Sequence, residues 1–113
     1  MKKLLSAVTI LTLTAGISIS FAGDKPKKMG TCGACHNNTK DGVGPSFKSV
    51  ANAYGNAKGI IATFNKGGKF TKADVKVTKF AGKYNMMKGQ LRKIAKWSDA
   101  DKKAAATYIM KQK

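Results

Sequence analysis

Cys32, Cys35 and His36 fall within Thr31-Cys32-Gly33-Ala34-Cys35-His36, and they are every cysteine and the only histidine of a 113-residue chain. Thiols and an imidazole so concentrated can form a disulfide, work as a dithiol redox pair, ligate a metal or anchor a prosthetic group. A disulfide across two intervening residues closes a very small loop and removes little entropy from the unfolded chain. A thioredoxin-like pair opens a helix after a strand, yet Gly23 to Thr31 shows no strand pattern. Tetrahedral zinc needs four ligands, one more than these three groups supply.

Covalent attachment remains. C-x-x-C-H is the signature of c-type haem, in which two thiols one turn apart add to the porphyrin vinyl groups and the next histidine sits under the iron. One covalent haem c through Cys32 and Cys35, with His36 as proximal ligand, is the expectation. What fills the second axial position decides between electron transfer and catalysis. A single histidine excludes a bis-histidine haem within one chain, and a methionine thioether, which raises the potential, is the natural candidate. Met29 lies too close to the motif to reach the other face of the ring, and Met110 falls within the last helix. Met86 and Met87, in Tyr84-Asn85-Met86-Met87-Lys88-Gly89-Gln90, are left.

The elements that must position these groups belong to one small domain, since 113 residues at 42% hydrophobic provide one core. Residues 1–22 read as a cleaved signal peptide: Lys2 and Lys3, an apolar run from Leu4 to Ile19, then Ser20-Phe21-Ala22 before the cut. The run is short and interrupted by hydroxyls, so no stable membrane insertion is expected after cleavage. Residues 23–113 then form the mature domain, with 20 basic residues against 5 acidic and a formal charge near +15. Such a field attracts acidic partners, while export removes most of the case for nucleic acid.

Within that domain Ser46 caps a helix to Tyr54, stopped by Gly55, with Phe47, Val50, Ala51 and Tyr54 on one face. Asn56 caps a second helix bearing Ile60, Ile61 and Phe64 and ending at Gly67-Gly68. Lys69 to Lys83 reads as a haem-wrapping loop, with a weaker strand-like alternation in Ala73 to Phe80. Ser98 caps the last helix, with Asp99 and Asp101 in its first turn and Ala104, Ala105, Tyr108 and Ile109 as its apolar face.

From His36 to Gly44-Pro45-Ser46-Phe47 the chain resembles small bacterial monohaem class I cytochromes c. The resemblance implies an all-α fold of about four short helices wrapped around the haem. It implies that the Pro45 carbonyl accepts a hydrogen bond from His36 and that the last helix crosses the first beside the motif. It places the axial methionine in a loop before the last helix, with Met87 the better match and Met86 the second choice, and lets Gln90 hydrogen-bond near the thioether sulfur. The likeness covers most of Gly23 to Lys113. It departs before Cys32, where the segment is short, contains Pro26 and lacks the family's aromatic residue. It departs again at Leu91 to Trp97, a longer link that can add a helical turn.

The expected function is that of a soluble periplasmic monomer and electron carrier of a respiratory chain, not an enzyme. Acidic redox proteins would dock at the haem edge, among Lys40, Lys48, Lys83 and Lys88. Two alternatives stand beside it. One is a haem enzyme or gas sensor with an open axial site, for which candidate acid-base residues are few. The other is a haem subunit held permanently in a larger oxidoreductase, docking through an apolar surface of Leu91, Ile94 and Trp97.

Overall fold

A computed structural model describes residues 25–113; the expected signal peptide, 1–22, lies outside them. Among the described residues the chain is all-helical, with no strand. Four α-helices carry the core: α1 (Phe47–Tyr54), α2 (Ala57–Lys66), α3 (Tyr84–Ile94) and α4 (Asp99–Lys111). Short 3-10 segments lie at Lys27–Ala34, Gly67–Lys69, Lys72–Asp74 and Thr78–Lys83, and turns and bends make up the remaining links.

The helix boundaries follow their capping residues. The Ser46 side chain accepts from Ser49 N–H, Asn56 from Gly59 N–H and Ser98 from Asp101 N–H, each satisfying a donor that the helix leaves open. Gly55 ends α1 at φ 76°, a left-handed conformation that glycine adopts without a Cβ clash. Phe47, Ala51, Ile60, Phe64, Leu91, Ile94, Ala105, Ala106 and Ile109 form one buried cluster.

Three sequence expectations are corrected. Met86 and Met87 do not lie in a loop: α3 begins at Tyr84 and holds both in its first turn. The reason is the spacing of Met87, Leu91 and Ile94, which sets three apolar residues on one helical face against the core. The buried face of α4 is also rotated, with Ala104 exposed and Lys102, Ala105, Ala106, Tyr108 and Ile109 buried. Lys102 makes this possible because its stem packs inward while Nζ donates to Asn65 Oδ1 at 2.8 Å. Finally, Leu91 and Ile94 are core residues, and Trp97 is half-buried with its ring 6.4 Å from that of Phe64. The apolar surface considered for a permanent subunit contact is thus turned inward.

Before Cys32, Met29 takes the place of an aromatic anchor. It is 1% exposed, and its 3-10 segment packs on α4. The lysine-rich segment from Lys69 onward folds as turns because its acid bends it back on itself. Asp74 Oδ2 accepts from Thr71 N–H at 2.8 Å and Thr71 Oγ1 at 3.1 Å, and Oδ1 pairs with Lys66 Nζ at 2.6 Å. The Lys66 ammonium and the Thr71 amide hold the Asp74 carboxyl down to about 2, from an ordinary 3.8. Because the folded value is the lower one, the stability it contributes is fully present above about pH 4 and is lost as pH falls through about 2. Asp74→Asn should therefore flatten the acid limb of a pH-dependent thermal unfolding series between about pH 4 and 2, with its loss of stability seen above about pH 4 and little difference from the parent below about pH 2.

Candidate haem site

The motif is held by its own backbone and by α1. His36 N–H donates to the Cys32 carbonyl at 2.9 Å, and Gly44 N–H to the Cys35 carbonyl at 2.9 Å, closing the intervening loop. The open donors of α1 then reach back across it, Phe47 N–H to the Asn37 carbonyl at 2.8 Å and Lys48 N–H to the Asn38 carbonyl at 3.0 Å. The helix start and the motif thus form one hydrogen-bonded unit.

Within that unit His36 Nδ1 lies 2.6 Å from the Pro45 carbonyl oxygen. A carbonyl only accepts, so Nδ1 carries the proton and donates, leaving the Nε2 lone pair for a metal. The imidazole is also fixed by packing. Phe47 stacks on it at 5.5 Å and 17°, and Tyr108 of α4 meets Phe47 edge-on at 6.1 Å. The Tyr108 hydroxyl donates to Asn38 Oδ1 at 3.2 Å, so the last helix braces the motif from behind.

Gly44 matters here by its size. A Cβ at this position would lie 3.2 Å from His36 Cε1 and 3.3 Å from the Cys35 carbonyl oxygen. Gly44→Ala should displace the ring by a few tenths of an ångström and cost about 1–3 kcal/mol, as overpacking does, measured by denaturant unfolding.

Cys32, Cys35 and His36 open into a cavity of about 340 Å³, within the range of small-molecule and cofactor sites. Its walls are mainly apolar: Val50, Tyr54, Ile60, Phe64, Phe70, Val75, Phe80 and Ile94 contribute, with Pro45 beside the imidazole. Met86, Met87 and Gln90 of α3 line the same cavity. The two methionines differ: Met87 is half-buried and packs on the core, whereas Met86 is 57% exposed. Of the four lysines expected around the opening, Lys83 lines it, with Lys76 and Lys93; Lys40, Lys48 and Lys88 do not.

Cys32 lacks the surroundings of an activated dithiol nucleophile. Both cysteines are free, and burial pushes the Cys32 thiol up, outweighing the opposing pull of Lys25. A dithiol nucleophile is instead activated by a lowered pKa. Two thiols, one metal-directed imidazole nitrogen and a thioether around one apolar cavity are the donor set and surroundings that a covalent haem requires.

A family model described as cytochrome c matches residues 22–113. The chain belongs to the cytochrome c family. No curated protein and no solved structure gave a match. As a member, the cytochrome binds haem c covalently through its cysteine pair, Cys32 and Cys35, and its role is haem-based electron transfer. The family is typically one of electron carriers rather than enzymes.

Sequence reasoning did not single out Gly44, Asp41 or the bracing of His36 by Phe47 and Tyr108. Phe47 and Tyr108 were visible only as apolar positions on helical faces, which do not say what they touch. Gly44 was visible as half of a Gly-Pro turn, and Asp41 carried no signal beyond being one of five acids.

Proposed function

We propose that the cytochrome is a soluble, monomeric periplasmic carrier whose iron is held by His36 and Met87. The observation carrying this reading is that Met87, half-buried on the first turn of α3, lines the same apolar cavity as Cys32, Cys35 and a His36 whose Nδ1 is already engaged. Bound haem supplies a reversible one-electron couple at its iron. The chain supplies the rest. Cys32 and Cys35 anchor the ring, His36 offers Nε2 in an orientation set by Pro45 and Phe47, and Met87 offers a neutral thioether. The apolar walls keep water from the ring, and Gln90 stands on the Met87 side with an amide for the thioether's surroundings. Export would follow cleavage after Ala22, with the domain beginning at Gly23.

Exchange needs an accessible edge. Val43 and Met86, the two exposed large hydrophobic residues among those described, both line the cavity and so mark its mouth. Lys76, Lys83 and Lys93 line it as well. A small apolar patch with cations beside it suits brief docking of an acidic redox protein, steered by charge and released quickly. No described helix is long and apolar enough to cross a membrane.

The test is electron exchange with an acidic redox protein, followed by stopped flow at increasing ionic strength. The rate constant should fall at least tenfold between low salt and about 0.5 M, as screening removes the steering. A rate indifferent to salt, or a cytochrome that leaves its cells bound to other subunits at high salt, would contradict a diffusing carrier.

A further inference from the structure

The peptide unit joining Pro45 to Ser46 is hydrogen-bonded at both ends, and the two partners are chemically opposite. Its carbonyl oxygen, on Pro45, accepts from His36 Nδ1–H at 2.6 Å. Its N–H, on Ser46, donates to Asp41 Oδ1 at 2.7 Å. We propose that Asp41 sets the electron-donor strength of His36 through this peptide, with Lys79 as the counterweight. The inference rests on His36 being an iron ligand.

A carboxylate accepting from an amide N–H draws the proton toward itself and pushes amide electron density onto the carbonyl oxygen, so successive hydrogen bonds strengthen one another. A more negative Pro45 oxygen pulls harder on the His36 Nδ1 proton, and the imidazole becomes a stronger donor at Nε2. A stronger donor favours the ferric state, so the Asp41 charge lowers the reduction potential.

Two features make the arrangement more than a loop contact. Ser46 is 1% exposed and begins a helix, so the peptide plane cannot swing away from either partner. The carboxylate is also kept ionised: Lys79 Nζ lies 2.6 Å from Oδ2, Ser49 Oγ donates to Oδ1 at 2.8 Å, and these contacts hold the carboxyl well below the usual range. Lys79 comes from the lysine-rich segment that lines the cavity, and its side chain is 64% exposed. Removing that ammonium leaves more of the carboxylate's charge to act on Ser46 N–H.

The experiment compares the holoprotein with Asp41→Asn and Lys79→Gln, by spectroelectrochemistry and by NMR of the His36 Nδ1–H proton in the ferrous state. Asparagine keeps the acceptor oxygen and loses the charge. In Asp41→Asn the ferrous-to-ferric ratio at fixed ambient potential should rise about threefold, roughly 30 mV at 59 mV per tenfold, and the Nδ1–H signal should move upfield. Both changes should persist in about 1 M salt, where the Debye length is near 3 Å. Lys79→Gln, at a side chain that is 64% exposed, should shift both readouts the opposite way. Asp74→Asn, with no hydrogen-bonded route to His36, should leave the Nδ1–H signal in place.

A potential shift that vanishes in high salt with an unmoved Nδ1–H signal would mean that charge acts through solvent, and would overturn the relay. So would variants that only lower the melting temperature, or a Lys79→Gln protein indistinguishable from the parent. A parent protein lacking a low-spin histidine-ligated haem would overturn the ligand reading itself, whereas a low-spin parent with inert variants overturns the relay alone.

Discussion

Met87→Ala is expected to convert the haem from six-coordinate low-spin to a form that binds carbon monoxide at once when reduced, and to lower its potential. The fall should be on the order of 100 mV, a fraction of the roughly 0.8 V that axial ligation commands. Loss of a neutral thioether removes the ligand that favours ferrous iron. Optical titration against redox mediators, and a carbon monoxide difference spectrum, measure both effects. Met86→Ala should change neither, because Met86 is 57% exposed at the cavity mouth while Met87 packs on the core. The pair thus separates a ligand from a neighbour on the same helical turn.

The largest stability effect should come from Phe47→Ala. Phe47 is 2% exposed, stacks on His36 and receives the edge of Tyr108. Truncating such a buried aromatic costs about 3–5 kcal/mol, a large share of the roughly 5–15 kcal/mol that stabilises a typical domain. Guanidinium unfolding of the holoprotein measures it. Phe47→Leu should recover much of the stability, since it refills volume, but not the flat face against the imidazole. The His36 ring signals should therefore still shift in Phe47→Leu, which separates the bracing of the ligand from the filling of the core.

How far the chain announces all this depends on the kind of signal each residue carries. Cys32, Cys35 and His36 are legible because the chemistry of attachment dictates both residue type and spacing. The starts of α1, α2 and α4 are legible because Ser46, Asn56 and Ser98 satisfy open amides locally. The start of α3 is not: Lys83 caps it without a side-chain hydrogen bond, and only the packing of Met87, Leu91 and Ile94 extends the helix over the paired methionines. The burial of Lys102 is hidden in a similar way. A lysine reads as solvent-facing until a partner such as Asn65 lies across the helix interface, and that partner is 37 residues away. The alternation in Ala73 to Phe80 gave no strand because a strand needs a neighbour, and Asp74 binds its own Thr71 and Lys66 instead. The resemblance to class I cytochromes c implies the role of the Pro45 carbonyl, which lies 2.6 Å from His36 Nδ1; residue types alone carry no signal for it.

If His36 and Met87 hold the iron between them, the oxidised optical spectrum of the mature holoprotein shows it. A weak band near about 695 nm, the mark of a methionine-iron bond in His/Met cytochromes, present in the parent and in Met86→Ala and absent in Met87→Ala, is the predicted result. A high-spin oxidised spectrum without that band, shifting at once on addition of cyanide, would contradict the account and place an open iron site in this cavity.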